Sequence, residues 1–314
     1  LEALLVDARQ RLEKTDDHAG LAQVWWALGF GVANLRGRSD DWATAALQAR
    51  NHSRLAGRSA PTADLGTALV CGARPADEAL DVIERLLEET PSTWLRLNRG
   101  WLLAMLGRGD EGWQVTEEAS ARLRDQGDNR WGEWMLAEIS LLAGDYDDAS
   151  NRLRVLCDWL ESKEQFGFLG SYLGELGWTL CRLGRFDEAE RLAERAQGLE
   201  QGRDPTIDPD SWHTWRQVLA LACAHRGELA EAERLAREGV ALTAQNDSLD
   251  VQCLALWDLA EVLAAGGRAE EAEDALDQAL DRCRRKKNLA LATQVRRRLD
   301  ALKAQVPAES ATDV

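Results

Sequence analysis

A glycine recurs along this chain every 35 to 43 residues, and a similar short motif surrounds most copies. The clearest copies read AGDYDDA, LGRFDEA, RGELAEA and GGRAEEA, with a weaker LGRGDEG and looser copies that start at Gly37 and Gly72. The repeated glycines are Gly37, Gly72, Gly107, Gly144, Gly184, Gly227 and Gly267. A period of this length is the signature of solenoids built from pairs of helices.

Each part of the motif has a physical role in a helix pair. The glycine ends the first helix in the left-handed conformation that other residues resist. The acidic residues that follow favour the positive N-terminal end of the second helix. A small residue five positions after the glycine, and another seven before it, allow the two helices to approach closely. The earlier small residues are Gly100, Ala137, Gly177, Ala220 and Ala260.

The composition agrees with an all-α chain. Ala, Leu, Glu and Arg dominate, and only six prolines occur in 314 residues. We predict a right-handed α-solenoid of about seven helix pairs, with an N-terminal half-repeat and a C-terminal capping helix. No apolar run approaches the roughly 18 residues that a membrane span needs, and no signal peptide is recognised. The protein is therefore predicted to be cytoplasmic, with no membrane partner.

One superhelical domain is predicted over residues 1–306. Residues 1–14 form the half-repeat, a second helix whose partner is missing; residues 19–288 form the seven pairs and 289–306 the capping helix. Residues 307–314 are predicted to be a frayed tail. The proline-containing stretch Gly198–Asp210 is predicted to be a loop, either a flexible corner or a lid that touches a ligand.

The charge of the chain excludes one class of partner. A formal charge of −16 repels phosphates over most of the surface, so no direct nucleic-acid binding is expected. Residues 281–303 are an exception, with nine basic and two acidic side chains. This basic end is either a solvated cap or a surface that docks on an acidic neighbour.

The motifs resemble the tetratricopeptide repeat. Its pattern W-x-x-L-G appears at Trp25–Gly29, and Leu176-Gly177 is followed by Gly184-x-Phe186-x-x-Ala189. The repeats from residue 130 onward match this pattern well. The first three depart from it, and Gly72 is followed by Arg74-Pro75 in place of an aromatic residue. The resemblance implies a superhelix that binds partners through its concave groove.

A narrower resemblance is to the C-terminal repeats of bacterial signalling regulators. In these proteins a cyclase-like or DNA-binding module precedes an AAA-type ATPase, and the repeats follow. The stretch from Leu249 to Leu263, with Gly267–Ala272 and Arg285–Leu289, is similar to the last repeat of that family. The ATP-binding motif G-x-x-x-x-G-K-[ST] is absent, so neither activity is carried over.

Nothing in the sequence indicates catalysis, a metal or a cofactor. The four histidines lack metal-ligand spacing, and no G-x-S-x-G occurs. The six cysteines lie at least 24 residues apart without a C-x-x-C, which excludes the usual zinc and redox motifs and fits a reducing compartment. We therefore predict no catalytic residues, no metal ligands, no cofactor and no enzyme activity.

Thirteen tryptophans suggest where a ligand binds. The resemblance implies that groove positions lie 13, 10, 6, 3 and 2 residues before each turn glycine. Counting back places six tryptophans and four polar residues on these positions: Trp94, Trp101, Trp131, Trp134, Glu138, Trp178, Arg182, His225, Trp257 and Glu261. A row of indole rings offers apolar area and an N–H donor. The alternative is that the same stripe packs inside the layers. The other seven tryptophans are assigned to packing.

The predicted function is therefore binding without catalysis, in signal transduction. The partner is a protein, a peptide or the upstream modules of the same polypeptide. Two alternatives remain from other classes. One is a small-molecule sensor, with tryptophans stacking on a sugar-like effector. The other is a self-assembly scaffold, in which the basic end of one copy meets the acidic body of the next.

Overall fold

The chain folds into α-helices joined by short turns. The computed structural model describes residues 1–59, 62–128, 130–200 and 209–305, and it contains sixteen α-helices and no strand within these ranges. The helices are α1 (Glu2–Glu13), α2 (His18–Leu28), α3 (Ser39–Leu55), α4 (Ala63–Cys71), α5 (Ala76–Glu89), α6 (Thr93–Met105), α7 (Gly109–Asp125), α8 (Arg130–Ala143), α9 (Tyr146–Ser162), α10 (Phe166–Arg182), α11 (Phe186–Glu200), α12 (Pro209–His225), α13 (Leu229–Thr243), α14 (Leu249–Ala265), α15 (Ala269–Lys286) and α16 (Leu289–Gln305). A π-turn and a 3₁₀ turn extend α2 over residues 29–36. The loop predicted at 198–210 is too long at both ends, because residues 198–200 belong to α11 and residues 209–210 to α12; its other residues and the predicted tail lie outside the described residues.

The helices form two layers of a solenoid. Each even-numbered helix from α2 to α14 packs on the odd-numbered helix that follows it. Four pairs of successive even helices also pack on one another, α4 with α6, α6 with α8, α10 with α12 and α12 with α14, whereas successive odd helices of the described part make no comparable contact. The even helices therefore form the inner, concave layer. The predicted all-α solenoid is confirmed. No helix of the described part is both long and apolar enough to cross a membrane.

The turn glycines adopt the predicted conformation at six of the seven positions. Gly107, for example, has φ 80°, and the N–H of the next residue, Arg108, reaches back to the carbonyl of Leu103. This geometry satisfies carbonyls at the end of α6. The six left-handed glycines are Gly37, Gly107, Gly144, Gly184, Gly227 and Gly267.

The prediction is wrong at Gly72. This residue ends α4 with φ −72° and ψ 180°, an extended conformation. Pro75 is the N-cap residue of α5 and restricts Arg74, the residue before it, to extended backbone, so the connection from α4 to α5 differs from the other turns. A Cβ here would lie 2.6 Å from the Oδ1 atom of Asp40 and 3.1 Å from the carbonyl oxygen of Ala68, so a larger residue would require the Asp40 side chain to move.

Small residues bring α6 and α7 together. A Cβ on Gly100 would lie 1.9 Å from Thr116 Oγ1 and 2.7 Å from the carbonyl oxygen of Gly112. A Cβ on Gly112 would in turn lie 2.5 Å from the carbonyl oxygen of Gly100. The two backbones therefore touch at this pair, as the positions of the small residues predict.

The two ends of the solenoid are in contact with each other. The loop before α14 reaches the first helix pair through Asp247, whose carboxylate accepts the backbone N–H groups of Ser39 and Asp40 at 2.8 Å each. The N–H of Asp247 also donates to the carbonyl of Gly37. These contacts join residues more than 200 positions apart.

A buried lysine makes the second contact between the ends. Lys286, at the end of α15, is fully buried, and its Nζ donates to the carbonyls of Gly72 at 2.6 Å and Arg74 at 3.0 Å. The neighbouring Lys287 forms an exposed ion pair with Asp77. These contacts therefore join the last complete helix pair, α14 and α15, to the second pair, α4 and α5.

The capping helix α16 makes the third contact. The side-chain amide of Gln294 donates to the carbonyls of Leu141 and Leu142, each at 2.8 Å, and its oxygen accepts the hydroxyl of Tyr146 at 2.9 Å. Helix α16 also packs on α6 and α8. The solenoid therefore closes across its own concave side.

Candidate binding site

The ten predicted groove residues all lie on the inner layer, and eight of them separate into two clusters. Four tryptophans on α6 and α8 meet near Tyr172 of α10, and we call these five residues the aromatic cluster: Trp94, Trp101, Trp131, Trp134 and Tyr172. Residues of α10, α14 and α16 meet in a second group, the charged cluster: Trp178, Arg182, Trp257, Asp258, Glu261 and Arg298. Glu138 borders the aromatic cluster, and His225 belongs to neither.

The aromatic cluster is a continuous row of edge-to-face ring contacts. Its ring centroids are 5.6 Å apart for Trp94 and Trp131, 5.6 Å for Trp131 and Trp134, 5.3 Å for Trp101 and Trp134, and 6.0 Å for Trp134 and Tyr172. These distances and angles suit the attraction between ring edges and faces. Trp101 and Tyr172 are buried, whereas the other three tryptophans are half-buried and keep part of their surface in solvent.

An arginine extends the row toward the surface. The Arg130 guanidinium lies 4.4 Å from the ring centroid of Trp131, 5.4 Å from that of Phe168 and 5.9 Å from that of Trp159. Phe168 and its neighbour Phe166 are 40% and 43% exposed at the start of α10. We call Arg130, Trp131, Trp159 and Phe168 the Arg130 platform. It places apolar rings and a cation on the surface where α8 and α10 begin.

Two carboxyl groups face each other beside the aromatic cluster. Trp134 Nε1 donates to Glu138 Oε1 at 3.1 Å, and Glu175 of α10 lies against Glu138 with its Oε1 buried and without a hydrogen-bond partner. Burial raises the pKa of Glu138, and burial together with the charge of Glu138 raises the pKa of Glu175. The pair therefore retains a proton at pH values where an exposed glutamate is ionised.

We expect the variant Glu138→Gln to be more stable than the native chain at pH 8. A carboxyl whose pKa is raised on folding binds more protons in the folded state, so stability falls as pH rises above 4.5, the ordinary value for glutamate. A neutral amide removes the repulsion and supplies an N–H donor for Glu175. The expected gain at pH 8 is about 1 kcal/mol.

Thermal unfolding between pH 5 and pH 8 measures this effect. The native chain should lose stability across the range, and Glu138→Gln should lose less. Glu88→Gln, an exposed change on α5, is the control and should follow the native chain. Equal pH dependence of the native chain and Glu138→Gln would show that the two carboxyls do not interact.

The charged cluster is centred on Arg182. Its guanidinium lies between the rings of Trp178 and Trp257, at 4.5 Å and 4.3 Å from their centroids, and forms an ion pair of 2.5 Å with Asp258. Asp258 has no exposed surface and also accepts Trp178 Nε1 at 3.0 Å. Burial raises the pKa of Asp258 to about 7 against the opposing attraction of Arg182.

Glu261 completes the charged cluster. It accepts Trp257 Nε1 at 2.8 Å and two hydrogen bonds from Arg298 of α16, at 2.7 and 2.8 Å. The carboxylates of this cluster thus find their partners within the chain. These contacts hold α10, α14 and α16 together. Because the charged side chains already have partners, they are less available to a ligand than the rings of the aromatic cluster.

His225 lies at the edge of the inner layer. Its ring stacks on Phe186 with the centroids 4.1 Å apart. Both side chains line a shallow cavity of about 320 Å³, together with Arg182, Glu261 and Leu221. The cavity thus brings together three predicted site residues that the sequence places on three different helices. No group of three or more potential metal ligands is found among the described residues.

Sequence reasoning missed several members of these clusters. Tyr172, Glu175 and Asp258 lie 12, 9 and 9 residues before their turn glycines, beside the counted positions, so a wider register would have included them. Arg130 and Phe168 lie further from the glycines, and no repeat signal marks them.

The tryptophans assigned to packing differ in exposure. Trp42 and Trp215 are buried, and Trp25, Trp113 and Trp159 are half-buried. The side chain of Trp212 lies outside the described residues. Trp26 is the most exposed of those described, at 48%, although its ring stacks on Phe30 and its Nε1 donates to Asp64 at 2.7 Å.

Comparison with known proteins identifies the repeat. One sequence profile of the tetratricopeptide repeat matches residues 169–196, and a second matches residues 218–238 and 254–278. These segments cover helix pairs of the C-terminal half, where the motif is clearest. The predicted tetratricopeptide repeats are confirmed there. No curated protein matches the sequence.

Solved structures share the fold at low sequence identity. The Cut9–Hcn1 hetero-tetramer of the APC/C is 14% identical with a TM-score of 0.61, over 96% of this chain and 57% of that one. NprR in complex with its cognate peptide NprX is 14% identical with a TM-score of 0.57, over 98% of this chain and 84% of that one. Rap protein complexed with competence and sporulation factor is 12% identical with a TM-score of 0.52, over 97% and 98%. Identities this low establish a shared fold only.

Proposed function

We propose that this chain is a non-catalytic binding module that holds a peptide or a protein segment against its aromatic cluster. One observation carries the proposal: the edge-to-face row from Trp94 to Trp134 continues through Arg130 to the exposed ring of Phe168. The row begins inside the inner layer and ends on the surface. A bound segment would lie along it, with its apolar side chains on the half-buried rings.

The chemistry of the cluster suits a peptide. Half-buried indole rings offer large rigid surfaces that lose little conformational entropy on binding. Tryptophan and arginine carry a large share of the binding energy at protein interfaces. Two proteins of the same fold were solved with a bound factor or peptide, NprR with NprX and Rap with competence and sporulation factor. They support this mode of binding for the present chain.

The absence of catalysis is part of the proposal. Arg182, Asp258 and Glu261 pair with one another and with Arg298, and this arrangement is suited to holding helices together. The Glu138–Glu175 pair adjoins Trp134, whose ring N–H donates to Glu138. The clusters thus offer surfaces for recognition.

We also propose the cellular setting implied by the sequence resemblance. The repeats around residues 249–289 are similar to the C-terminal repeats of bacterial signalling regulators. The module would then act in the cytoplasm, and its partner would be a separate protein, a peptide or the upstream modules of the same polypeptide. Binding at the aromatic cluster would report the presence of that partner.

We expect Trp131→Ala to weaken peptide binding at least tenfold, because Trp131 contacts Trp94, Trp134 and Arg130 at the centre of the row. The peptides are obtained by selecting a random display library on the native protein, and their affinities are measured by fluorescence polarisation. Trp113→Ala is the matched control, since Trp113 is half-buried on the outer helix α7 and also stacks on an arginine. Equal loss in both variants, or loss in neither, would contradict the proposal.

A small effector is a second candidate ligand, favoured by the cavity at His225. Its volume of about 320 Å³ is at the lower end of the range for small-molecule sites. Arg182, His225 and Glu261 supply polar groups around its wall, and Phe186 supplies an aromatic face. If a metabolite binds there, His225→Ala should abolish its effect on thermal stability, while Trp131→Ala should not.

A further inference from the structure

We infer that the aromatic cluster binds a segment that carries a carboxylate, which pairs with Arg130 while a neighbouring aliphatic or aromatic side chain packs on Trp131 and Phe168. The inference rests on the proposed function and adds the charge and position of the recognised group. It concerns the Arg130 platform at the start of α8 and α10.

Arg130 has an unusual set of partners. Its guanidinium donates to the side-chain oxygen of Gln165, a neutral amide, at 3.0 Å. Its Nε is buried without an acceptor. No carboxylate of the described residues forms an ion pair with it, although the chain holds 54 acidic residues against 38 Lys and Arg. A cation that lacks a counter-ion in so acidic a protein calls for an explanation.

Other arginines of the chain show what is missing. Within the described part, four further arginines stack on tryptophan rings as Arg130 does. Each of them also forms an ion pair with a carboxylate: Arg9 with Glu13 at 3.5 Å, Arg152 with Asp148 at 2.7 Å, Arg182 with Asp258 at 2.5 Å and Arg216 with Glu238 at 3.5 Å. Arg130 has the ring contacts without the carboxylate. A ligand would supply it.

The surroundings of Arg130 suit one acidic group next to an apolar one. A guanidinium presents its donors in a planar fork that matches a carboxylate. Asp128 already accepts the backbone N–H of Arg130 at the start of α8, at 3.1 Å, whereas the first turn of α10 holds no acidic residue and adds the positive end of a helix dipole. The exposed rings of Phe166 and Phe168 supply apolar area beside the cation. A single carboxylate fits this local cation, whereas the net charge of −16 repels a polyanion.

The test uses the peptides selected from the random library. We expect them to carry an Asp or Glu within a few residues of an aliphatic or aromatic side chain. Each is then synthesised with its carboxylate intact and with the corresponding amide, and both forms are titrated against the native protein and Arg130→Gln. The carboxylate-to-amide change should weaken binding about tenfold in the native protein and less than twofold in Arg130→Gln.

Further measurements separate this inference from the proposed function. If no peptide is selected, or if Trp131→Ala binds as the native protein does, both proposals fall. If binding depends on Trp131 but the carboxylate-to-amide change has the same effect in the native protein and Arg130→Gln, only the present inference falls. If the selected peptides bind in a Trp131-dependent way but lack acidic residues, again only the present inference falls.

A second variant covers the case in which Arg130→Gln does not fold. Arg130→Lys keeps the charge but loses the planar fork, so it should retain part of the preference for the carboxylate form. In the native protein, raising the salt concentration from about 0.05 M to about 0.5 M should weaken the carboxylate form more than the amide form. Equal salt dependence of the two forms would overturn the inference.

Discussion

The variant Gly100→Val is expected to have a free energy of unfolding lower than that of the native chain by about 3 kcal/mol or more. Its Cβ would lie 1.9 Å from Thr116 Oγ1 and 2.7 Å from the carbonyl oxygen of Gly112. The threonine can rotate, but the carbonyl belongs to the backbone of α7, so the two helices must separate. Separation breaks apolar contacts between the third helix pair, α6 and α7, and its neighbours. Chemical denaturation followed by circular dichroism measures the resulting loss of stability.

Gly198→Val is the matched control for this prediction. Gly198 is also a helical glycine, but it is exposed, and a Cβ there would meet nothing within 4 Å. Valine should change stability there by no more than about 0.5 kcal/mol. A Gly100→Val variant as stable as Gly198→Val would show that α6 and α7 do not touch at Gly100 and Gly112.

Replacing Lys286 with methionine is expected to cost about 3 kcal/mol and to open the solenoid. The change keeps most of the side-chain volume but removes the ammonium group that the carbonyls of Gly72 and Arg74 share. The buried carbonyl of Gly72 would then lose its donor, the partly buried carbonyl of Arg74 would lose one hydrogen bond, and the carboxyl of Asp250 would lose the nearby positive charge. Separation of the ends avoids this penalty because water can then reach the carbonyls.

Small-angle X-ray scattering distinguishes an opened solenoid from one that is only less stable. Lys286→Met should have a larger radius of gyration than the native chain under conditions in which both are fully helical. Lys287→Met is the control, because Lys287 pairs with Asp77 on the surface and such pairs contribute about 1 kcal/mol or less. Identical scattering from the native chain and Lys286→Met would show that the lysine is not needed for closure.

The architecture could be predicted from the sequence because its signals are local. A turn glycine, acidic residues at the next helix start and small residues at the contact all lie within 20 positions, and they mark each helix pair directly. The prediction failed at Gly72, which is extended and is followed by Pro75 at the start of α5 in place of the usual motif residues. The glycine marks the end of a helix, but its conformation is not left-handed where the following residues depart from the motif.

The site was predicted less completely, for a physical reason. The repeat register places side chains on the inner layer, and Trp94, Trp131 and Trp257 do lie there. It does not show how tightly the superhelix curves. Curvature depends on contacts such as that of Lys286 with Gly72, which join residues 214 positions apart. These contacts bring α16 across the interior. Arg298 of α16 pairs there with Glu261, so this predicted groove residue is less available to a ligand.

Contact between the two ends changes how the protein should unfold. An open array of repeats loses its terminal units first, because each unit is held by its neighbours alone and the last unit has only one. Here the first pairs and the last helices have each other as additional neighbours, through Asp247, Lys286 and Gln294. Fraying at one end therefore removes support from the other. The melting of the described helices should be a single cooperative transition, with amide protons near both ends exchanging as slowly as those in the middle.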